Sequence, residues 1–282
     1  MLDPKQNIED VHNKIVNGIK EFVHAAGAKS VVLGLSGGID SALVASLATE
    51  ALGSDNVMGF IMPSEFSTVH SVQDAVDLAE NLGIKYHIIP IASIYNRFMK
   101  ELAPVFGPDN EWNVAEENLQ ARIRGTLLMA YANKFGALAL NTSNKSEICC
   151  GYGTLYGDLA GAAMIIADLY KVEVYEMAHY INSLKRVIPD STLTKAPSAE
   201  LREGQKDSDS LPDYPLLDSI LYSINEEQMS YEQLLDKGID KAVLDKVLRL
   251  MKASSFKMCQ LPPMFNVSKH PLGYKEKWAL KQ

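Results

Sequence analysis

The residues best suited to chemistry form one short run, SGGIDS (36–41), at the end of a very apolar stretch. Its two glycines can adopt backbone angles that are closed to other residues, and without side chains they allow a ligand to approach the backbone closely. A helix beginning beside them would offer unpaired N–H groups and the positive end of its dipole to an anion, and Ser36 and Ser41 would add hydroxyl donors. Asp40 would repel a bare phosphate but fits a divalent cation that bridges phosphate oxygens. The run therefore predicts a site for nucleotide phosphates.

A second interpretation of the same run stays open. An isolated Ser-Gly-Gly is also typical of a tight strand-to-helix turn with a capping serine. The run has neither the Walker A spacing nor the G-x-G-x-x-G spacing. The complete S-G-G-x-D-S pattern after an apolar strand is far more specific than its first three residues.

The elements that must position this run alternate between strands and helices over residues 1–141. Short apolar stretches predict buried strands at 30–35, 56–62, 85–91 and 137–141. Apolar residues three or four apart predict helices at 7–27, 39–53, 68–83, 93–103 and 113–136. This alternation favours right-handed βαβ units and a doubly wound parallel sheet, an α/β fold with helices on both faces.

Polar runs follow three of the predicted strands. They are SGGIDS (36–41), MPSEFS (62–67) and NTSNKSE (141–147). Because ligands bind open parallel sheets at the carboxyl ends of the strands, we expect these runs to share one site.

The second half of the chain has a different pattern. Residues 151–165 are rich in Gly and Ala and predict a loop, and 172–184 predict a helix. Residues 189–215 form a long polar stretch, which in a compact domain is usually functional or disordered. Further helices are expected at about 215–224, 230–237 and 240–254.

Composition excludes several classes of protein. The 282 residues suffice for one α/β domain with appendages, which we expect to span 1–282. A net charge of −8 argues against general nucleic-acid binding, which needs clustered Lys and Arg. The chain has no stretch of 18 apolar residues and no signal-peptide pattern, so we expect a cytoplasmic protein without membrane contact. Three cysteines without metal spacing predict free thiols, and six scattered histidines predict no metal site.

The stretch LGLSGGIDSA (33–42) resembles the pyrophosphate-binding (PP) loop of the ATP pyrophosphatase family. That family includes GMP synthetase, asparagine synthetase, argininosuccinate synthetase, tRNA-lysidine synthetase and NAD synthetase. Its members cleave ATP between the α- and β-phosphates and pass AMP to an acceptor oxygen. The resemblance implies an adenine nucleotide α-hydrolase-like fold.

Later blocks of sequence resemble the NAD synthetase family in particular, over residues 10–265 or so. They are EENLQARIRG (116–125), NTSNKSE (141–147), GYGTLYGD (151–158), DLYKVEVYEMA (168–178), KAPSAELREGQKDSDSLPDY (195–214) and FKMCQLPP (256–263). The resemblance implies a C–N ligase. The carboxylate of nicotinic acid adenine dinucleotide (deamido-NAD) attacks ATP, giving an acyl-adenylate and pyrophosphate, and ammonia then displaces AMP to form NAD.

The resemblance also implies roles for individual residues. Asp40 and Glu147 would bind Mg²⁺, and Asp40, Lys171 and Ser198 would be the catalytic residues. The ATP site would comprise Gly34, Leu35, Ser36, Gly37, Gly38, Ile39, Asp40, Ser41, Met62, Thr142, Lys171 and Ser198. Deamido-NAD would contact Arg122, Asp158 and Lys257. The neighbouring Arg124 cannot point the same way as Arg122 on a helix, and is expected in a surface or interface ion pair.

Two positions depart from the shorter, ammonia-dependent members of the family. Leu155 stands where many of those enzymes carry Lys, and Phe256 stands where they carry His. Residues 159–162 also lack an acid found nearby in them. No glutamine amidase domain fits before residue 30, so we expect the chain to use free ammonia or ammonia from a separate subunit.

Two other functions stay open at this point. One is a GMP synthetase-like amidotransferase acting on a purine nucleotide, which the 195–214 block disfavours. The other is a regulatory module with an inactive site, which the joint presence of Asp40, Glu147, Lys171 and Ser198 disfavours. The resemblance further implies a homodimer with the Arg122 helix at its interface. Residues 190–212 are expected to be mobile without ligands and to close over ATP.

Overall fold

The computed structural model describes residues 7–107 and 111–272, and within them the expected parallel sheet is confirmed. Its strands are β1 (Val31–Gly34), β2 (Val57–Ile61), β3 (Lys85–Ile88), β4 (Leu138–Asn141) and β5 (Ala163–Met164). They lie in the order β3-β2-β1-β4-β5, and all pairings are parallel. The chain runs outward from β1 to β3 and then returns to the other side of β1. The switch point of the topology therefore lies between β1 and β4, where such sheets bind ligands.

Helices connect and follow these strands. Those of the described residues are α1 (Ile8–Ala25), α2 (Ile39–Leu52), α3 (Val69–Leu82), α4 (Ala92–Phe106), α5 (Val114–Phe135), α6 (Lys145–Cys150), α7 (Lys171–Leu184), α8 (Asp190–Thr194), α9 (Tyr214–Asn225), α10 (Tyr231–Asp236) and α11 (Lys241–Ser254). Short 3₁₀ turns occupy Ser54–Asn56, Asp207–Asp209 and Ser255–Gln260. No helix in the described ranges combines the length and the apolarity that crossing a bilayer requires. The first six residues, on which the signal-peptide expectation partly depends, lie outside those ranges.

Alternation along β1 divides the core into two layers. Val31 and Leu33 pack into a cluster with α1, α2, α3 and α7, whereas Val32 packs on the other face with Ile123 and Ala132 of α5. All three β1 side chains are fully buried, as in a parallel sheet covered on both faces. The doubly wound α/β fold class is thereby confirmed.

The C-terminal helices form a second apolar cluster against α6. Leu217, Ile220 and Leu221 of α9 pack with Leu244 of α11 and with Cys150 of α6. This packing fixes α6, which follows β4, and the expected helices near 215–224, 230–237 and 240–254 are confirmed to within one or two residues.

One expectation about secondary structure was wrong. Residues 151–165 were expected to form only a loop, but Ala163–Met164 form the edge strand β5. Met164 N donates to Pro263 O at 2.8 Å, and Phe265 N donates to Met164 O at 3.1 Å. A two-residue strand is too short to produce a readable alternation. It pairs with β4 on one side, and on the other side Met164 bridges to Met264, a hundred residues further along the chain.

Candidate active site

The ends of β1, β2 and β4 open into a cavity of about 310 Å³ at the carboxyl edge of the sheet. Its other walls come from α5, from the loop that contains Asp158, and from the stretch between Thr192 and Asp207. All the site residues predicted from the sequence line this cavity, except Gly37, Arg122 and Lys257. Most of the predicted site is therefore brought together in one place.

The turn between β1 and α2 depends on Gly37, whose φ is +77°. A Cβ atom at this position would lie 2.2 Å from the backbone oxygen of Ser71 in α3. Within the turn, Gly38 N donates to Ser36 Oγ at 3.2 Å, and Ser41 Oγ donates to Gly38 O at 3.0 Å. No side chain caps α2. These bonds make a tight turn, and they leave the N-terminus of α2 facing the cavity, so both interpretations of the run are compatible.

An ion-pair cluster joins this turn to α6 and α7. Lys171 Nζ lies 2.5 Å from Asp40 Oδ2 and 3.3 Å from Glu147 Oε1. Asn144 Nδ2 donates to Asp40 Oδ1 at 2.9 Å, while the Asn144 side chain also caps α6. The Tyr214 ring lies 5.1 Å from the Lys171 ammonium group. Both predicted metal acids are thus in direct contact with the predicted catalytic lysine.

Burial makes this cluster electrostatically unusual. Lys171 is only 2% exposed; burial opposes its charged form, but the charges of Asp40 and Glu147 outweigh that effect and raise its pKa. Burial also raises the pKa of Glu147 to about 8, with Asp40 and Asp207 adding to the rise and Lys171 opposing it. Asp207 is buried as well, and its carboxylate accepts hydrogen bonds from the hydroxyls of Tyr152 and Tyr214. Two carboxyl groups thus contact the buried ammonium group, and the charge of Asp207 adds to their effect on it.

Arg124 is the cavity residue that sequence reasoning placed wrongly. It was expected in a surface or interface ion pair, but it is half-buried, lines the cavity and donates from Nε to Met62 O at 3.0 Å. Among the described residues, no carboxylate lies within ion-pair distance of its guanidinium group. Burial lowers its pKa to about 10, so it remains protonated at neutral pH. Helix α5 turns Arg124 inward because Ala121, Gly125 and Leu128 lie on the cavity face of the same helix.

The residues 195–207, called the lid segment below, bridge the cavity. On one side, Glu200 accepts hydrogen bonds from Ser71 Oγ at 2.7 Å and from Thr68 N at 3.2 Å, at the start of α3. On the other side, Gln120 Nε2 of α5 donates to Leu201 O at 2.8 Å. The lid segment is therefore attached to both walls of the cavity, and its mobility without ligands stays a prediction.

Three of the predicted ATP contacts lie around this enclosure. Thr142 follows β4 directly, and Met62 lines the cavity at the end of β2. Ser198 lines the cavity from the lid segment, where its hydroxyl donates to Gln205 O at 2.6 Å and accepts from Glu200 N at 3.1 Å.

The predicted deamido-NAD contacts are more dispersed. Asp158 lines the cavity and accepts a hydrogen bond from Thr154 N at 2.7 Å. Arg122 is exposed and donates to Leu155 O at 3.3 Å. Lys257 Nζ donates to Gly151 O at 2.8 Å and to Gly153 O at 2.7 Å. Arg122 and Lys257 thus brace the 151–158 loop from outside the cavity, and their contact with substrate stays a prediction.

Other candidate chemistry is not found in the described residues. They contain no group of three or more His, Cys, Asp and Glu side chains arranged to hold a metal ion. All three cysteines are free, as expected; Cys149 and Cys150 are buried and Cys259 is exposed.

Comparison with known proteins gives the family of the chain. Residues 11–261 match the family model described as NAD synthase. A glutamine-dependent NAD⁺ synthetase from Synechocystis sp. is 46% identical over 270 residues, which are 96% of this chain and 48% of that protein. The chain spans about half the length of the curated relatives it matches.

Two solved structures match along almost their whole length. The NH₃-dependent NAD synthetase from Campylobacter jejuni has 34% identity and a TM-score of 0.74, with 89% of this chain and 96% of that one covered. The NMN synthetase from Francisella tularensis has 29% identity and a TM-score of 0.78, with 95% and 99% covered. With the glycine turn, the acid–lysine cluster and the switch-point cavity in place, the chain belongs to the NAD synthase family.

Proposed function

We propose that this chain is a ligase that converts deamido-NAD to NAD, with ATP as co-substrate and ammonia as nitrogen donor. The observation that carries the proposal is the contact of Lys171 with Asp40 and Glu147 at the mouth of the glycine turn. A regulatory module would have no need to bury a lysine between two acids at a phosphate site, where desolvation is costly. The family match favours a nicotinate substrate over the purine nucleotide of GMP synthetase.

In the first proposed step, a carboxylate oxygen of deamido-NAD forms a bond to the α-phosphorus of ATP. The bond from that phosphorus to the bridging oxygen breaks, and pyrophosphate leaves with the electron pair. The α2 N-terminus and the ammonium group of Lys171 would stabilise the charge on the phosphates. Ser198 would donate a hydrogen bond to the leaving pyrophosphate after releasing Gln205 O.

In the second proposed step, ammonia adds to the acyl carbon of the adenylate. The bond from that carbon to the AMP oxygen then breaks, and a proton leaves the nitrogen. Positioning and water exclusion matter most here, because water would return the acid. The lid segment is suited to that role because it already closes the cavity between α3 and α5.

Asp40 and Glu147 would hold the Mg²⁺ that we propose for this site. Their carboxylate oxygens are hard ligands of the kind Mg²⁺ prefers, and two protein carboxylates completed by phosphate oxygens and water are typical of its nucleotide sites. Bound there, the ion would neutralise charge on the triphosphate. Lys171 now lies between the two acids and would turn towards the phosphates.

Arg124 joins the proposed site as a contact for an anionic group. It is a cavity cation without a carboxylate partner among the described residues, and it lies beside Met62, one of the proposed ATP contacts. A guanidinium group in this position suits the α-phosphate or the nicotinate carboxylate.

The proposal names free ammonia, and not glutamine, as the direct nitrogen donor. Relatives of about twice the length are glutamine-dependent, whereas the matching Campylobacter jejuni enzyme is NH₃-dependent. We propose that this 282-residue chain takes ammonia directly, in the cytoplasm, where its free thiols would persist. Glutamine-supported synthesis by the purified chain alone would refute the ammonia assignment.

A homodimer is proposed on the outer face of α4 and α5. Large apolar side chains are exposed there, among them Phe98, Val105, Val114 and Phe135. Exposed apolar patches on soluble proteins often mark interfaces. Light scattering of the purified chain should give twice the monomer mass, and a monomer at micromolar concentration would contradict the assignment.

The central experiment is product analysis of the purified chain with ATP, Mg²⁺, deamido-NAD and ammonium. We expect NAD, AMP and pyrophosphate in equal amounts, and their loss in Asp40→Ala. Asp55→Ala is the matched control, because Asp55 is an exposed acid at the opposite edge of the sheet. Nicotinic acid mononucleotide should be tested in parallel, since preferential use of it would move the assignment to the reaction named for the Francisella tularensis relative.

A further inference from the structure

We propose that Asp218 of α9 is the positioning residue that sets Lys171 in the active site. Neither residue type nor spacing pointed to Asp218, and it does not line the cavity. The inference rests on the proposed function, because the role of Lys171 in phosphate binding is part of it.

Asp218 joins the N-termini of two helices that both carry cluster residues. Its Oδ2 accepts a hydrogen bond from Val172 N at 2.9 Å, and its Oδ1 accepts one from Ser146 Oγ at 2.5 Å. Ser146 Oγ in turn accepts a hydrogen bond from Lys171 N at 2.9 Å. One carboxylate and one hydroxyl thus satisfy the first two backbone N–H groups of α7.

These bonds replace an ordinary cap. The Tyr170 side chain, just before α7, accepts no hydrogen bond from the helix, although Tyr170 N donates to Glu173 Oε2 at 2.7 Å. The first two N–H groups of α7 therefore find their acceptors on α6 and α9. Asp218 and Ser146 are 1% and 0% exposed, so these N–H groups are not open to bulk water and depend on protein acceptors. Burial raises the pKa of Asp218 to about 6, so at neutral pH it is an anion that favours the positive end of α7.

This anchoring of the backbone also determines where the side chains of Lys171 and Glu147 lie. Lys171 is the first residue of α7, and Glu147 directly follows Ser146 in α6. Because Asp218 and Ser146 fix both backbones to each other, they fix the separation from which the lysine side chain reaches Glu147 and Asp40. A lysine side chain has several rotatable bonds, so an unanchored backbone would leave its ammonium group poorly placed.

Three variants test the proposal. Asp218→Asn keeps the shape but turns one acceptor into a donor, and Ser146→Ala removes the bridging hydroxyl; the third combines both. Ser223→Ala is the matched control, since Ser223 is a buried hydroxyl on the same helix that bonds to Lys237 Nζ at 2.9 Å. Each protein is compared for thermal unfolding, kcat, KM for ATP and crystal structure.

We expect each single change to lower kcat about tenfold or more, with KM for ATP changed less than about threefold, because positioning acts on the transition state. The double variant should be no slower than the slower single variant, since both act through one connection. Ser223→Ala should lose similar thermal stability and keep its kcat. If Asp218→Asn and Ser146→Ala keep kcat as Ser223→Ala does, the proposal is wrong.

The crystal structures separate this proposal from the proposed reaction. If the wild-type chain makes no NAD, the reaction is wrong, but the position of Lys171 can still be read. In Asp218→Asn, Lys171 Nζ should leave hydrogen-bonding distance of Asp40, and an unchanged contact would overturn the inference. Should Asp218→Asn fail to fold, Ser146→Ala gives the same two readouts with a smaller perturbation.

Discussion

Replacement of Gly37 by Ala tests whether the glycine turn works by close backbone approach. Gly37 has a φ of +77°, where Ala costs about 1–2 kcal/mol. The new Cβ would lie 2.2 Å from Ser71 O and would have to move to at least 3.0 Å, a shift of about 0.8 Å. Ser71 O belongs to the backbone at the start of α3 and cannot rotate away as a side chain could. Overpacking should therefore lower the free energy of unfolding by about 1–3 kcal/mol more.

The matched control is Gly136→Ala. Gly136 ends α5 with a φ of +64°, and a Cβ there would meet nothing within 4 Å. It lies before β4, at the edge of the sheet opposite the cavity. This variant therefore measures the conformational cost alone, about 1–2 kcal/mol of unfolding free energy.

The two variants should separate in both stability and turnover. Urea unfolding should place Gly37→Ala about 1–3 kcal/mol below Gly136→Ala, since only the first has the overlap. Displacement of the turn by close to 1 Å should lower kcat/KM for ATP about 100-fold, whereas the control should stay within about twofold of wild type. If Gly37→Ala turns over like Gly136→Ala, the turn does not place the phosphates, and the argument from its backbone geometry fails.

Three further predictions concern the cavity, the lid segment and the thiols. Arg124→Met should raise the KM for ATP or for deamido-NAD about 10- to 100-fold, because a charged hydrogen bond to the substrate is lost. Arg97→Met, on the surface of α4, should leave both KM values unchanged. Glu200→Gln should speed proteolysis of the lid segment without ligands, and Glu203→Gln, an exposed neighbour, should leave the cleavage rate unchanged. Iodoacetamide at pH 8 should label only Cys259 in the folded chain. Burial raises the pKa of both Cys149 and Cys150 to about 12, so at pH 8 only about one in ten thousand of these thiols is a reactive thiolate. Labelling of either buried thiol before the chain unfolds would contradict this prediction.

The sheet and the glycine turn could be predicted because their signals are local. β1 and β2 are continuous apolar runs, and SGGIDS (36–41) marks the end of the first of them. The position of the site followed from a general property of parallel sheets, without any knowledge of side-chain contacts. The roles of Glu147 and Lys171 came from resemblance to a family, since an acid in a first turn and a lysine after an apolar run are common on any surface.

What the sequence could not provide depends on tertiary contacts. Asp40 and Lys171 are 131 residues apart, so no local pattern indicates that they touch. Arg124 was placed wrongly because α5 has apolar residues on more than one side, and only its packing shows which side faces the cavity. Asp218 lies among the apolar residues of a C-terminal helix, and its partners are a backbone N–H and a serine hydroxyl that lie 46 and 72 residues away in sequence.

The buried Lys145 has a consequence for the order in which the chain can fold. Its ammonium group bonds to Asp168 at 3.1 Å, to Glu226 at 2.7 Å and to Ser268 at 3.3 Å, the last of these 123 residues downstream. Contacts of such long sequence separation close late, because the entropy of the intervening chain must be lost first. During synthesis, the sheet strands β1 to β4 leave the ribosome well before these partners of α6 do. We therefore expect the buried contacts of the helix that carries Glu147 to be complete only after nearly all of the described chain has emerged, which would make the candidate site one of the last parts of the protein to form.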